Sequence, residues 1–179
     1  MSTAPVPGPA GFYYADVPIR AIAFVIDYIL FLVAITIIGI VAVAILGTNT
    51  AGITGPSTGS QLLQTIVGYA LVAGYFMFLW TSRRATMGMT LLGLQVGHEV
   101  DGRTMDMNQA GIRVAAMFGP SFVAAVLSSL ALGLGAIASL VSLVWFIALV
   151  YTTAKSPTKQ GLHDQYAHTM VVKAARRAS

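Results

Sequence analysis

The chain has 179 residues, of which 56% are hydrophobic and only 9% charged. A water-facing domain carries about a quarter charged residues, so this deficit excludes an ordinary soluble protein and assigns most of the surface to lipid. Cysteine is absent, which rules out disulfides and thiolate metal sites, and three scattered histidines do not suggest structural zinc.

Residues 1–15 are rich in proline and glycine and hold no basic residue. They lack the basic start and apolar run of a secretory signal and are expected to form a mobile cytoplasmic tail. Phe12, Tyr13 and Tyr14 suit a headgroup belt, where a ring can be half buried. Asp16 can cap a helix starting near Val17, with Pro18 in its first turn, where no helical hydrogen-bond donor is needed. A first span over 19–46 would be about 42 Å long as helix, against a hydrocarbon core of about 30 Å, so it crosses with tilt to spare.

The uncharged, small-residue stretch 47–60 reads as a loop, and 61–80 as a second span ending at an interfacial Trp80. Residues 81–109 are the most polar stretch. Within them LLGLQV alternates as a short strand, VDGR reads as a turn, and Asp106 with Gln109 resembles a capping box opening the next helix. The apolar run 110–154 is too long for one crossing and divides naturally at LGLG, giving spans over 110–132 and 135–153. Pro120 is expected to kink the third span, and a rival division lays 107–118 flat at the interface. The tail contains a strand-like TMVVK at 169–173, expected to pair with LLGLQV, and a basic end at 174–179.

Basic residues favour the cytoplasmic side, and short loops report this best. The loops at 47–60 and 132–135 contain no Lys or Arg, whereas Arg83, Arg84, Arg103, Lys155, Lys159, Lys173, Arg176 and Arg177 all fall in the other loop or the tail. Arg20 and Arg113 sit at span ends facing that same side. Four crossings, with both termini cytoplasmic, put every cation inside, and this placement explains the net charge of +4 without a nucleic-acid partner.

Two residues interrupt the first span, Arg20 and Asp27. A carboxylate within a span costs about 2.5 to 3.5 kcal/mol if nothing compensates it. Arg20 lies seven positions before Asp27, about 10 Å along the axis, and helical side chains lean toward the amino terminus. Arg113 is therefore the better candidate partner for Asp27, while Arg20 snorkels to lipid phosphate. An Asp27–Arg113 ion pair that fixes helix packing, a proton- or cation-binding Asp27 on a transport path, and an accident of position are the three readings of this residue. In the tail, His163 and Asp164 are adjacent. His163 titrates near neutral pH if exposed, and Asp164 suits helix capping or loop tethering. No metal or cofactor site is expected, and no nucleophile elbow, phosphate loop or zinc-protease motif supports an enzyme.

The order of these elements resembles the RDD family of bacterial and archaeal membrane proteins, named for one arginine and two aspartates. RAIAFVID, with Arg20 and Asp27, looks like the family's first element. TMGMTLLGLQVGHEVDGRTM resembles the middle one, with Gly88, Gly93 and Asp101-Gly102 in the expected places. QGLHD resembles the last, with Asp164 as the second aspartate. The resemblance covers roughly residues 16–173. Met89 and Gln95 stand where the family often carries basic residues. The resemblance implies a four-span helical bundle in the plasma membrane and signature residues Arg20, Asp27 and Asp164; sodium/proton exchange has been proposed for some members. Three functions follow for consideration: a small ion-coupled transporter, with a homo-oligomer enclosing the path; an accessory subunit of a membrane complex; and a protein whose basic face meets the lipid bilayer.

Overall fold

The computed structural model describes residues 7–8, 11–46, 58–130 and 134–173. Most of the expected 47–60 loop, the centre of the LGLG divide, the basic end at 174–179 and much of the amino-terminal tail lie outside the described residues.

Four long helices dominate: α1 (Val17–Leu46), α2 (Thr58–Arg83), and, after a short α3 (Met87–Leu91), α4 (Met107–Leu130) and α5 (Gly135–Lys155). A second short helix, α6 (Leu162–Tyr166), follows them. All four long helices are apolar and long enough to cross a membrane. Their outward side chains match that role, since Ile35, Leu140, Val144 and Phe78 are 59%, 61%, 64% and 66% exposed. In water such a surface would be an aggregation hazard; in hydrocarbon it costs nothing. The protein is a mostly helical membrane bundle. Helix α4 is its centre, packing on both α2 and α5, whereas α1 packs chiefly on α3.

The rival flat helix over 107–118 is not seen: α4 runs unbroken from Met107 to Leu130 with Pro120 inside it. Its start is the capping box read in the sequence. Gln109 N donates to Asp106 Oδ1 at 2.7 Å, and Asp106 N donates to Gln109 Oε1 at 3.2 Å.

At one end of the bundle sits a three-stranded antiparallel sheet, ordered β1 (Tyr13–Tyr14), β3 (Thr169–Lys173), β2 (Leu94–His98). The two strand-like stretches pair as expected, with Val96 opposite Val171 and Leu94 opposite Lys173. The third strand comes from the stretch assigned to a mobile tail. Tyr13 and Tyr14 pair with Lys173 and Val172, Ala15 N donates to Val171 O at 3.0 Å, and Ala15 is fully buried. The physical reason is that β3 is central. Its Met170, Val171 and Val172 are buried, and its outer edge would otherwise leave backbone groups unpaired under protein. Thus Phe12, Tyr13 and Tyr14 run at the sheet rather than as a free anchor.

Every described Lys and Arg lies at this end: in the first two turns of α1 and α4, at or just after the last residues of α2 and α5, or in the sheet region. Arg84 joins the layers. Its backbone carbonyl accepts from Val96 N at 2.6 Å, and its guanidinium donates to Gly102 O. Gly93, between α3 and β2, has φ +66, a conformation that costs a side-chain-bearing residue about 1–2 kcal/mol.

Val96 N bonds to Arg84 and Val171 O to Ala15, so neither points across the β2–β3 ladder. They form a non-hydrogen-bonded pair, with Cα atoms about 4.5 Å apart. In this cysteine-free chain, the double variant Val96→Cys, Val171→Cys should oxidise nearly completely to an intramolecular disulfide. Val96→Cys with Val172→Cys, which face opposite sides, should remain reduced; non-reducing electrophoresis distinguishes them.

Candidate functional site

Where the helices meet the sheet, two carboxylates are buried, Asp27 at 3% exposure and Asp164 at 0%. They are held by opposite kinds of partner.

Asp164 is the third residue of α6, and its Oδ2 accepts from the backbone N of Gly161 at 3.2 Å, closing that helix's first turn. Arg20 Nη1 donates to the same oxygen at 2.7 Å. Arg113 Nη1 lies 2.5 Å from Oδ1, a charge contact, and donates to Thr169 Oγ1 at 2.6 Å. Arg20 also donates to the carbonyls of Ala15 and Val171 at 2.9 and 3.2 Å. One carboxylate therefore ties α1, α4, α6 and the sheet together. Arg113 in turn stacks its guanidinium on Trp80, 4.7 Å from the ring centre.

Burial alone would raise the Asp164 pKa, but Arg113, His163 and Arg20 outweigh it and hold the carboxyl well below the usual range. His163 is pushed down to about 4, first by burial and further by Arg113 and Arg20, against the pull of Asp164. The ring is therefore neutral at pH 7, not the near-neutral titrating group expected from sequence. Its Nε2 sits 3.6 Å from Asp164 Oδ2.

Asp27, on α1, meets uncharged donors. Tyr75 Oη donates to Oδ1 at 2.7 Å, Gly88 N to Oδ1 at 2.8 Å, and Thr86 Oγ1 to Oδ2 at 2.5 Å. Thr86 is also the N-cap of α3, accepting from Met89 N at 3.2 Å. Gly88 permits this approach, because a Cβ there would collide with the Ala23 carbonyl of α1. Among the described residues no cation lies within ion-pair distance of Asp27.

Two expectations are thereby corrected. Arg113 does not partner Asp27, because it is turned toward the sheet and spent on Asp164. Arg20 does not reach for lipid phosphate, because Asp164 and two backbone carbonyls take its fork. Sequence reasoning missed Tyr75, Thr86 and Thr169, and it put Trp80 at the membrane interface, whereas Trp80 is 1% exposed and lies under Arg113. Only Thr86 carried a local signal, as a threonine placed to cap MGMTL.

Two cavities touch Asp27. One, of about 150 Å³, is bordered on α1 by Val17 to Asp27 and reaches Arg113 and His163. The other, of about 490 Å³, is bordered on α1 by Phe24 to Ile35 and extends to Gln64 and Thr65 on α2. Among the described residues no group of three His, Asp or Glu side chains forms a metal cage.

Asp164→Asn leaves two guanidiniums buried without their counter-ion. It should cost about 3 to 5 kcal/mol, read as a large fall in the thermal midpoint in detergent. His163 titrates at about 4 when folded against 6.5 ordinarily. Its contribution is thus complete above pH 6.5 and lost as pH falls toward 4, by up to about 3 kcal/mol. Melting curves from pH 7 to 4 should show this decline, and His163→Gln should flatten it.

The family model described as the RDD family matches residues 14–168. No curated protein and no solved structure matches the chain.

Proposed function

The chain belongs to the RDD family, and from that premise we propose that it is a small ion-coupled permease of the plasma membrane, in which Asp27 takes up and releases a proton or sodium ion. The observation that carries this reading is the position of Asp27 between the two cavities. Buried intramembrane carboxylates mark ion pathways and proton relays. Here one cavity runs from it toward the sheet end and the other toward the middle of the bundle. The sheet end, which gathers the described cations, faces the cytoplasm on this reading, so both termini are cytoplasmic. No enzymatic step is invoked. The middle of α1 is open, with Tyr28, Ile29, Leu32 and Ile35 all exposed, and a second copy packed there would help to enclose the larger cavity.

A second reading, an accessory subunit of a membrane complex, is favoured by the Arg20–Asp164–Arg113 cluster, which fixes shape. The two readings differ over Asp27. Reconstituted wild-type protein should collapse a proton or sodium gradient in sealed liposomes. Asp27→Asn should lose at least ten-fold of that flux while keeping its gel-filtration profile and a melting midpoint within a few degrees of wild type. Wild-type flux in the variant removes Asp27 from the mechanism, and no flux in either protein favours the accessory role.

A further inference from the structure

The smaller cavity has a second character, independent of ion exchange at Asp27. Its walls are apolar, built by Phe24 of α1 and Phe146, Leu149 and Val150 of α5. Its border near the sheet is cationic, with Arg20 and Arg113 both on it. These two guanidiniums share one carboxylate, Asp164. His163 is neutral at pH 7, so the cluster itself holds two cations and one anion; Asp27, a second acid on the cavity's other border, is held by three uncharged donors rather than by either guanidinium.

The same border carries unmet hydrogen-bond donors. Arg113 Nε and Trp80 Nε1 are buried and have no acceptor among the described residues. Arg113 and Trp80 are 2% and 1% exposed, and the guanidinium is stacked on the indole, so both N–H groups belong to one locus. A buried donor without an acceptor is costly, and a buried net charge more so. Two N–H donors beside an excess positive charge suit the two oxygens of a carboxylate. The aromatic and aliphatic walls suit a hydrocarbon skeleton.

We infer that this cavity binds an apolar monocarboxylate, its carboxylate against Arg113 and Trp80 and its hydrocarbon body between α1 and α5. Such a molecule reaches the site either from the bilayer, as a fatty acid, or from water, as a short aliphatic or aromatic acid.

Isothermal titration of the protein in nanodiscs, with empty nanodiscs as reference, tests this. Octanoate should bind saturably, and octanol and octylamine, which keep the chain and lose the anion, at least ten-fold more weakly. Trp80→Phe keeps the ring under Arg113 and removes the N–H; it should weaken octanoate about ten-fold and leave octanol unchanged. Trp145→Phe is the control, because Trp145 Nε1 already donates to Ala116 O at 3.0 Å outside the cavity. Oleate and phenylacetate separate the two sources: tighter oleate indicates a membrane-borne ligand, tighter phenylacetate a water-borne one, and either agrees with the site. Equal affinity for octanoate and octanol, or no saturable binding of any acid, overturns the inference. That comparison uses wild-type protein, so it stands even if Trp80→Phe does not fold.

Discussion

The structure depends on one carboxylate shared by two guanidiniums beneath the helices. Asp164 is the meeting point of α1 through Arg20, α4 through Arg113, the sheet through Thr169 and the Val171 carbonyl, and α6 through its own backbone. A membrane bundle gains little from the hydrophobic effect once its helices are in lipid, because tails are as apolar as leucine. What orients the helices must come from packing and from polar contacts that cannot be satisfied in hydrocarbon. Here that polar knot sits at the sheet end, where three segments far apart in sequence converge. Away from that end α1 turns Tyr28, Ile29, Leu32 and Ile35 outward.

The sheet is the other half of this arrangement. It is small, and a short two-stranded ribbon would be marginal alone. The third strand and the bundle above bury β3 nearly completely. Because β3 follows α6, the strand and Asp164 are fixed together; because β2 follows α3, the same sheet also positions the Thr86–Gly88 turn that grips Asp27. The two aspartates are thus coupled mechanically through one sheet without touching the same cation.

Much of this was legible in the sequence, and the reasons differ by element. The spans follow from hydropathy, which needs no knowledge of tertiary structure. The pairing of LLGLQV with TMVVK follows from alternation, and the start of α4 from a local capping box. The failures all concern distance across the chain. Helices α3 and α6 span five residues each, too short for a helical period to show. Tyr13 and Tyr14 are drawn into the sheet by an edge that exists only once β3 is placed. The misassigned partner of Asp27 is the most instructive case. Depth in the membrane correctly put Arg113 near the acids, but depth does not give the rotation of a helix about its axis, and rotation decided which carboxylate Arg113 meets.

That rotation divides the work between the two acids. Arginine has donors and no acceptor and does not give up its proton, so the Asp164 cluster has one stable protonation pattern at ordinary pH. It suits a permanent clamp. The partners of Asp27 are different in kind. The hydroxyls of Tyr75 and Thr86 each carry a donor and lone pairs, and either can turn from donating to accepting. If the Asp27 carboxyl takes a proton, that proton finds an acceptor by rotation of an O–H bond, with no helix displaced. A sodium ion in its place would find oxygen ligands in the same two hydroxyls and the carboxylate. On the proposed function the clamp is at Asp164 and the exchangeable site at Asp27, because hydroxyls can reverse their hydrogen bonds and guanidiniums cannot.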